Sequence, residues 1–115
     1  MERGQIYIAT LDPRSGSEQK GTRPVILVSH DAFNSVPNWR SVIIVPVSTS
    51  SKQAKRGPTT VSIKEGVGGL GQESIALCHQ ITTLDRSKLT KLLGTLPQES
   101  IKEVENGIKA ALDIE

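Results

Sequence analysis

Glu18, Gln19, Lys20 and Arg23 put an acid, an amide and two cations within six residues, inside the stretch GSEQKGTRPV from Gly16 to Val25. Gly16 and Gly21 free the backbone on both sides of these groups, as a loop beside a ligand requires. Pro24 fixes its own φ and pushes Arg23 toward extended geometry. That holds the guanidinium at the mouth of the apolar run Val25-Ile26-Leu27-Val28, which reads as a buried strand. A rigid strand with an arginine at its entry and a polar loop before it suits binding or cleaving an anion. Arginine meets phosphate oxygens with a flat fork of N–H donors.

Other chemistries find less support. His30 and His79 are the only histidines, neither has a partner at ligand spacing, and the carboxylates are scattered, so no metal and no cofactor is expected. Cys78 and His79 resemble a nucleophile and its base, but neighbours on a strand point to opposite faces, and Cys78 reads as a buried structural thiol. The run GVGGLG, Gly66 to Gly71, lacks the Lys-Ser/Thr ending of a phosphate loop and reads as a hairpin turn. What remains is an arginine with hydroxyls. A Ser or Thr hydroxyl can hold a phosphate oxygen or relay a proton. Such a pair is enough for cutting RNA, where the neighbouring 2′-hydroxyl is the nucleophile. The protein must only align it, stabilise the added charge and move two protons. Lys52, Lys55 and Arg56 form a basic loop suited to phosphates. Trp39, on a loop, suits either an RNA base or a gap in the core or between copies.

The elements that must carry these groups fit one domain, residues 1–115, with a single core. Aromatic content of 3% leaves Val, Ile and Leu to build that core, which favours strands. A net charge of +2 permits a nucleic-acid partner without demanding one. No run approaches a membrane span, and a lone Cys78 fits a reducing cytoplasm. Strands are expected over Gln5–Leu11, Pro24–Ser29, Ser41–Val47, Pro58–Ile63, Glu73–His79 and Gln80–Leu84, with Asp31 to Asn38 irregular. Pro46 should lie at a strand end or edge, since it cannot donate to a ladder. Asp85 reads as the cap of a short helix through Leu93, with Leu89, Leu92 and Leu93 on its apolar face and Gly94 as its stop. A last helix starts near Pro97, with Thr95 and Gln98 at capping-box spacing. Ile101, Val104, Ile108 and Leu112 form the face that docks it on the sheet. The expected architecture is mainly β with a C-terminal helix: a small, strongly bent antiparallel sheet, barrel-like and sealed by that helix.

Several segments together resemble the MazF/PemK toxin endoribonucleases of toxin–antitoxin modules. They are Arg3-Gly4-Gln5-Ile6-Tyr7, Leu11-Asp12-Pro13, the GSEQKGTRPV loop, Ser29, Asp31, Asn34, Leu70, Ser74, Gln80 to Arg86, and Lys88-Leu89. The resemblance implies an SH3-like β-barrel, a cytoplasmic homodimer and a cognate antitoxin partner. It further implies metal-independent cutting of single-stranded RNA that leaves a 2′,3′-cyclic phosphate and a free 5′-hydroxyl. The family's catalytic arginine falls on Arg23. Its catalytic threonine falls on Ser48, with Thr49 beside it. Glu18, Gln19, Lys20 and Gln80 fall among the residues that meet substrate. The acid that precedes the glutamine in some members is His79 here, a candidate base, and the arginine some carry two places earlier is Leu77. Two rivals stay open at this point: a CcdB-type gyrase-poisoning module, and an RNA-binding barrel that no longer cuts. The CcdB type lacks the arginine-bearing loop and relies on a C-terminal Trp, where this chain ends Leu112-Asp113-Ile114-Glu115.

Overall fold

A computed structural model describes residues 1–12, 21–49 and 57–115. Strand β1 (Gln5–Leu11) pairs antiparallel with β2 (Gly21–Leu27), and β2 with β3 (Ser41–Ser48), with helix α1 (Asp31–Asn34) between those two. Strands β4 (Thr60–Ile63), β5 (Ser74–Leu77), β6 (Thr82–Asp85) and β7 (Leu89–Thr95) follow, then helix α2 (Gln98–Leu112). The sheet runs β4-β5-β3-β2-β1-β7, with β6 also on β3. This is the expected bent antiparallel sheet with a terminal helix. Among the described residues no ladder joins β4 to β7. Instead the turn after β4 meets β7 edge-on: a Cβ built on Gly69 would stand 2.1 Å from the Leu93 carbonyl oxygen.

Side-chain alternation splits the core in two. Ile6, Ile26, Val45, Val47 and Ala76 face α2 and pack with Val104, Leu96 and Cys78. Ala9, Leu11, Val25, Leu27, Val42 and Ile44 fill the other face, rimmed by Met1, Tyr7, Leu84 and Leu89. Helix α2 lays Ile101, Val104 and Ile108 on the sheet as its spacing predicts, whereas Leu112 stays exposed. Its N-cap is Pro97, without the side-chain bond that the Thr95–Gln98 box would supply.

Four expectations change. The helix expected from Asp85 to Leu93 is not formed. Asp85 does cap a turn, accepting from Ser87 N–H at 2.9 Å, but the turn is a 3-10 one and β7 starts at Leu89. Pairing with β1 over Gln5–Ala9 outweighs the helical spacing of the leucines. Cys78, His79 and Gln80 form a second 3-10 turn rather than the end of a strand. Pro46 sits inside β3, which is neither an end nor an edge. On the side of β3 away from β2, β6 occupies Ser41 to Ile44 and β5 takes over at Val47, so the proline falls in the gap between them. Finally, Asp31 to Asn34 is helical, with His30 Nδ1 accepting from Ala32 N–H.

Polar groups lock the entry of this short helix. The buried Asn34 amide donates to Ser29 O (2.7 Å) and to Asp31 Oδ1 (3.0 Å), and Ser29 Oγ donates to Asn34 Oδ1. Arg3 donates its backbone N–H to Asp31 Oδ1, its Nε to Val28 O and its Nη1 to Glu105 of α2. The Asn34 amide, then the Arg3 N–H, hold the Asp31 carboxyl below its ordinary value of 3.8. A carboxyl lowered on folding stabilises the fold above its unfolded value and loses that as pH falls through the folded one. Thermal melts taken between about pH 5 and pH 3 should therefore show Asp31→Asn losing less stability on acidification than the parent chain.

Candidate active site

Arg23 lies on β2 opposite Ala9 of β1, half-buried, on the same strand face as Val25 and Leu27. Ser48 ends β3, buried, on the same face as Ile44. The β2–β3 register runs Leu27–Ile44, Ile26–Val45, Val25–Pro46. The ladder ends at Val25–Pro46; continued two residues past that last pair, the same count brings Arg23 level with Ser48. Directly opposed residues of an antiparallel pair hold their Cβ atoms about 5 Å apart, a span that one phosphate can bridge. Thr49 is exposed and follows β3, so by strand alternation it falls on the other face.

The turn Cys78–Gln80 flanks Val45 and Pro46, in the gap between β5 and β6. It presents His79 to solvent, leaves Gln80 half-buried, and turns Cys78 into the core under α2. The Cys78 thiol donates to Val104 O at 3.6 Å, and burial pushes its pKa up to about 11, so it stays protonated and structural. Trp39 is not beside Arg23. It precedes the opposite end of β3, 46% exposed, stacked on Phe33 with ring centroids 4.7 Å apart. Glu18, Gln19, Lys20, Lys52, Lys55 and Arg56 lie outside the described residues. Among the described residues, no three His, Cys, Asp or Glu gather in a way that could hold a metal ion.

Arg23 and Ser48 thus lie on neighbouring strands, on the face that carries Val25, Leu27 and Ile44. Residues 2–112 match the family described as PemK-like, MazF-like toxin of type II toxin–antitoxin systems. The chain belongs to this family. The endoribonuclease MazF of Staphylococcus saprophyticus is 36% identical over 114 residues, spanning 99% of this chain and 92% of that protein. The Mycobacterium tuberculosis toxin MazF-mt6 superposes with a TM-score of 0.77 at 26% identity, over 96% of this chain and 98% of that one. A mycobacterial endoribonuclease in complex with its cognate antitoxin shares the fold, with a TM-score of 0.79 at 23% identity over 100% and 97% of the two chains.

This MazF-like chain also uses family-pattern residues that carry no catalytic signal in the sequence. Ser29, Asp31 and Asn34 bond to one another, as above. Arg86 reaches back across the fold: its Nε donates to Trp39 O (2.9 Å), its Nη1 to Asn34 O (2.9 Å), and its Nη2 to Phe33 O (3.2 Å) and Val36 O (3.0 Å). Arginine suits this place because its fork feeds several carbonyls at once, which lysine cannot do with fixed geometry. No local pattern announces these bonds, since they join residues about fifty positions apart.

Proposed function

We propose that this chain, a MazF-type toxin endoribonuclease, cuts single-stranded RNA without a metal, by attack of the neighbouring 2′-oxygen on phosphorus. The P–O5′ bond breaks as the P–O2′ bond forms, leaving a 2′,3′-cyclic phosphate and a 5′-hydroxyl. Arg23 donates to the equatorial oxygens of the pentavalent phosphorane and passes a proton to the leaving 5′-oxygen, which departs as the 5′-hydroxyl. Ser48 holds a phosphate oxygen or relays a proton; Thr49, which follows on the other strand face, takes that part only if the loop shifts register. His79 or Glu18 takes the 2′-hydroxyl proton, and Gln80, Gln19, Lys20, Lys52, Lys55 and Arg56 line the path of the strand. The toxin works as a cytoplasmic homodimer, checked by a cognate antitoxin. No described helix is long and apolar enough to cross a membrane.

The observation that supports this reading is the antiparallel register of β2 and β3, which, continued two residues past Val25–Pro46, brings Arg23 level with Ser48. A fixed cation aimed at developing charge is the largest contribution a protein can make to a reaction whose nucleophile the substrate supplies. The test compares an all-ribose strand with a twin carrying 2′-deoxyribose throughout, both in chelator. Only the ribose strand should be cut, with a cyclic phosphate at the new end. Cutting of the deoxy strand, or a requirement for Mg²⁺, refutes the proposed chemistry.

A further inference from the structure

The chain holds one Phe and one Trp, and both sit on the surface, stacked face to face instead of filling the core. His30 packs edge-on against Phe33, with centroids 6.3 Å apart. The loop beneath is rigid for a stated reason: one guanidinium, Arg86, ties down the carbonyls of Phe33, Asn34, Val36 and Trp39. Arg40, next to Trp39 in the chain, pairs with Asp85. The nearby carboxylates are engaged, Asp85 by Arg40 and Ser87, Asp31 by Arg3 and Asn34. Two exposed, stacked rings on a loop held by backbone bonds, with Asp31 and Asp85 both engaged, fit the flat face of a nucleobase. The patch also continues the strand of the active site. Trp39 stands just before β3 and Ser48 ends it, the strand between them being about 23 Å long.

We propose that the Phe33–Trp39 stack is an outer base-stacking step, which grips the single-stranded substrate several nucleotides from the bond that is cut. The inference rests on the ribonuclease reading above and extends its footprint to the far end of β3. Because the loop is pre-ordered, stacking on it costs little conformational entropy. The step is sequence-tolerant, since every base has a flat face. It sets how long a single-stranded stretch must be for tight binding, while recognition at the cut stays with the Arg23 end.

Trp39 is the chain's sole tryptophan, so its intrinsic fluorescence reports the step directly. The probes are a long mixed-sequence RNA carrying 2′-O-methyl ribose throughout, which the proposed chemistry leaves whole, and a version trimmed to a few nucleotides. The long strand should quench Trp39, and Trp39→Ala should weaken its binding about 5- to 150-fold. Trp39→Phe should restore most of the loss, and the trimmed strand should bind parent and Trp39→Ala alike. Unquenched Trp39 in the bound state, or equal affinity of Trp39→Ala for the long strand, overturns the inference. So does a change in sedimentation of Trp39→Ala, which would assign the rings to contact between copies. A parent chain that cuts ribose RNA yet gives these results loses only the outer step. One that neither binds nor cuts RNA loses the ribonuclease reading as well.

Discussion

On the proposed function, Arg23→Ala should lower the rate of RNA cutting by about a hundred- to a thousandfold while leaving the melting transition close to that of the parent chain. The magnitude is that of removing one preorganised donor from developing charge, and here the donor also carries the site's positive charge. The fold survives because Arg23 is half-buried near the entry of β2, while the hydrophobic anchor of that strand is Val25, Ile26 and Leu27. Arg23→Lys recovers little, because a single ammonium cannot reproduce the two-pronged geometry that phosphate oxygens require. Single-turnover cleavage of a ribose strand, alongside a thermal melt, checks both halves. An Arg23→Ala chain that cuts at the parent rate removes Arg23 from its assigned role. Equal loss of rate and of fold would make it a structural residue instead.

Much of the fold is legible in the sequence because strands and helices write their own periodicity. Strand β1 spans the predicted Gln5–Leu11, and α2 buries the predicted Val104 face. The errors fall where non-local pairing overrides a local pattern. Leu89, Leu92 and Leu93 recur at helical spacing, yet β1 recruits them as an edge strand. Pro46 is a strand-breaker by local chemistry, and is tolerated at the handover from β6 to β5. The site divides in the same way. Arg23 stands out in the sequence because Gly21, Pro24 and an apolar run frame it. The register that lays β3 alongside its strand does not, because register belongs to the pairing of two strands. Trp39 stands out as a lone aromatic, but its partner Phe33 and the Arg86 fork beneath come from other parts of the chain.

Gly69→Ala costs about 2–5 kcal/mol of stability, a large share of the roughly 5–15 kcal/mol that holds a domain of this size together. Two independent effects add. Gly69 has φ +80°, where an L side chain is strained, and its new Cβ would lie 2.1 Å from Leu93 O and 2.6 Å from Leu93 C. The obstacle is backbone, so no rotamer change relieves it. Gly94 makes the reciprocal approach, since a Cβ there would stand 2.7 Å from Gly68 C. The two glycine-bearing segments therefore pass at a distance that only glycine permits, and this passage brings the β4–β5 turn onto β7 where no strand ladder joins them. Gly71, in the same glycine-rich run, has no left-handed φ, and a Cβ placed there would meet nothing within 4 Å. Gly71→Ala should stay within about 0.5 kcal/mol of the parent. Denaturant unfolding at constant slope separates the two variants. Equal midpoints for Gly69→Ala and Gly71→Ala would show that the run is an ordinary flexible linker and that something other than this contact holds β7 to the turn.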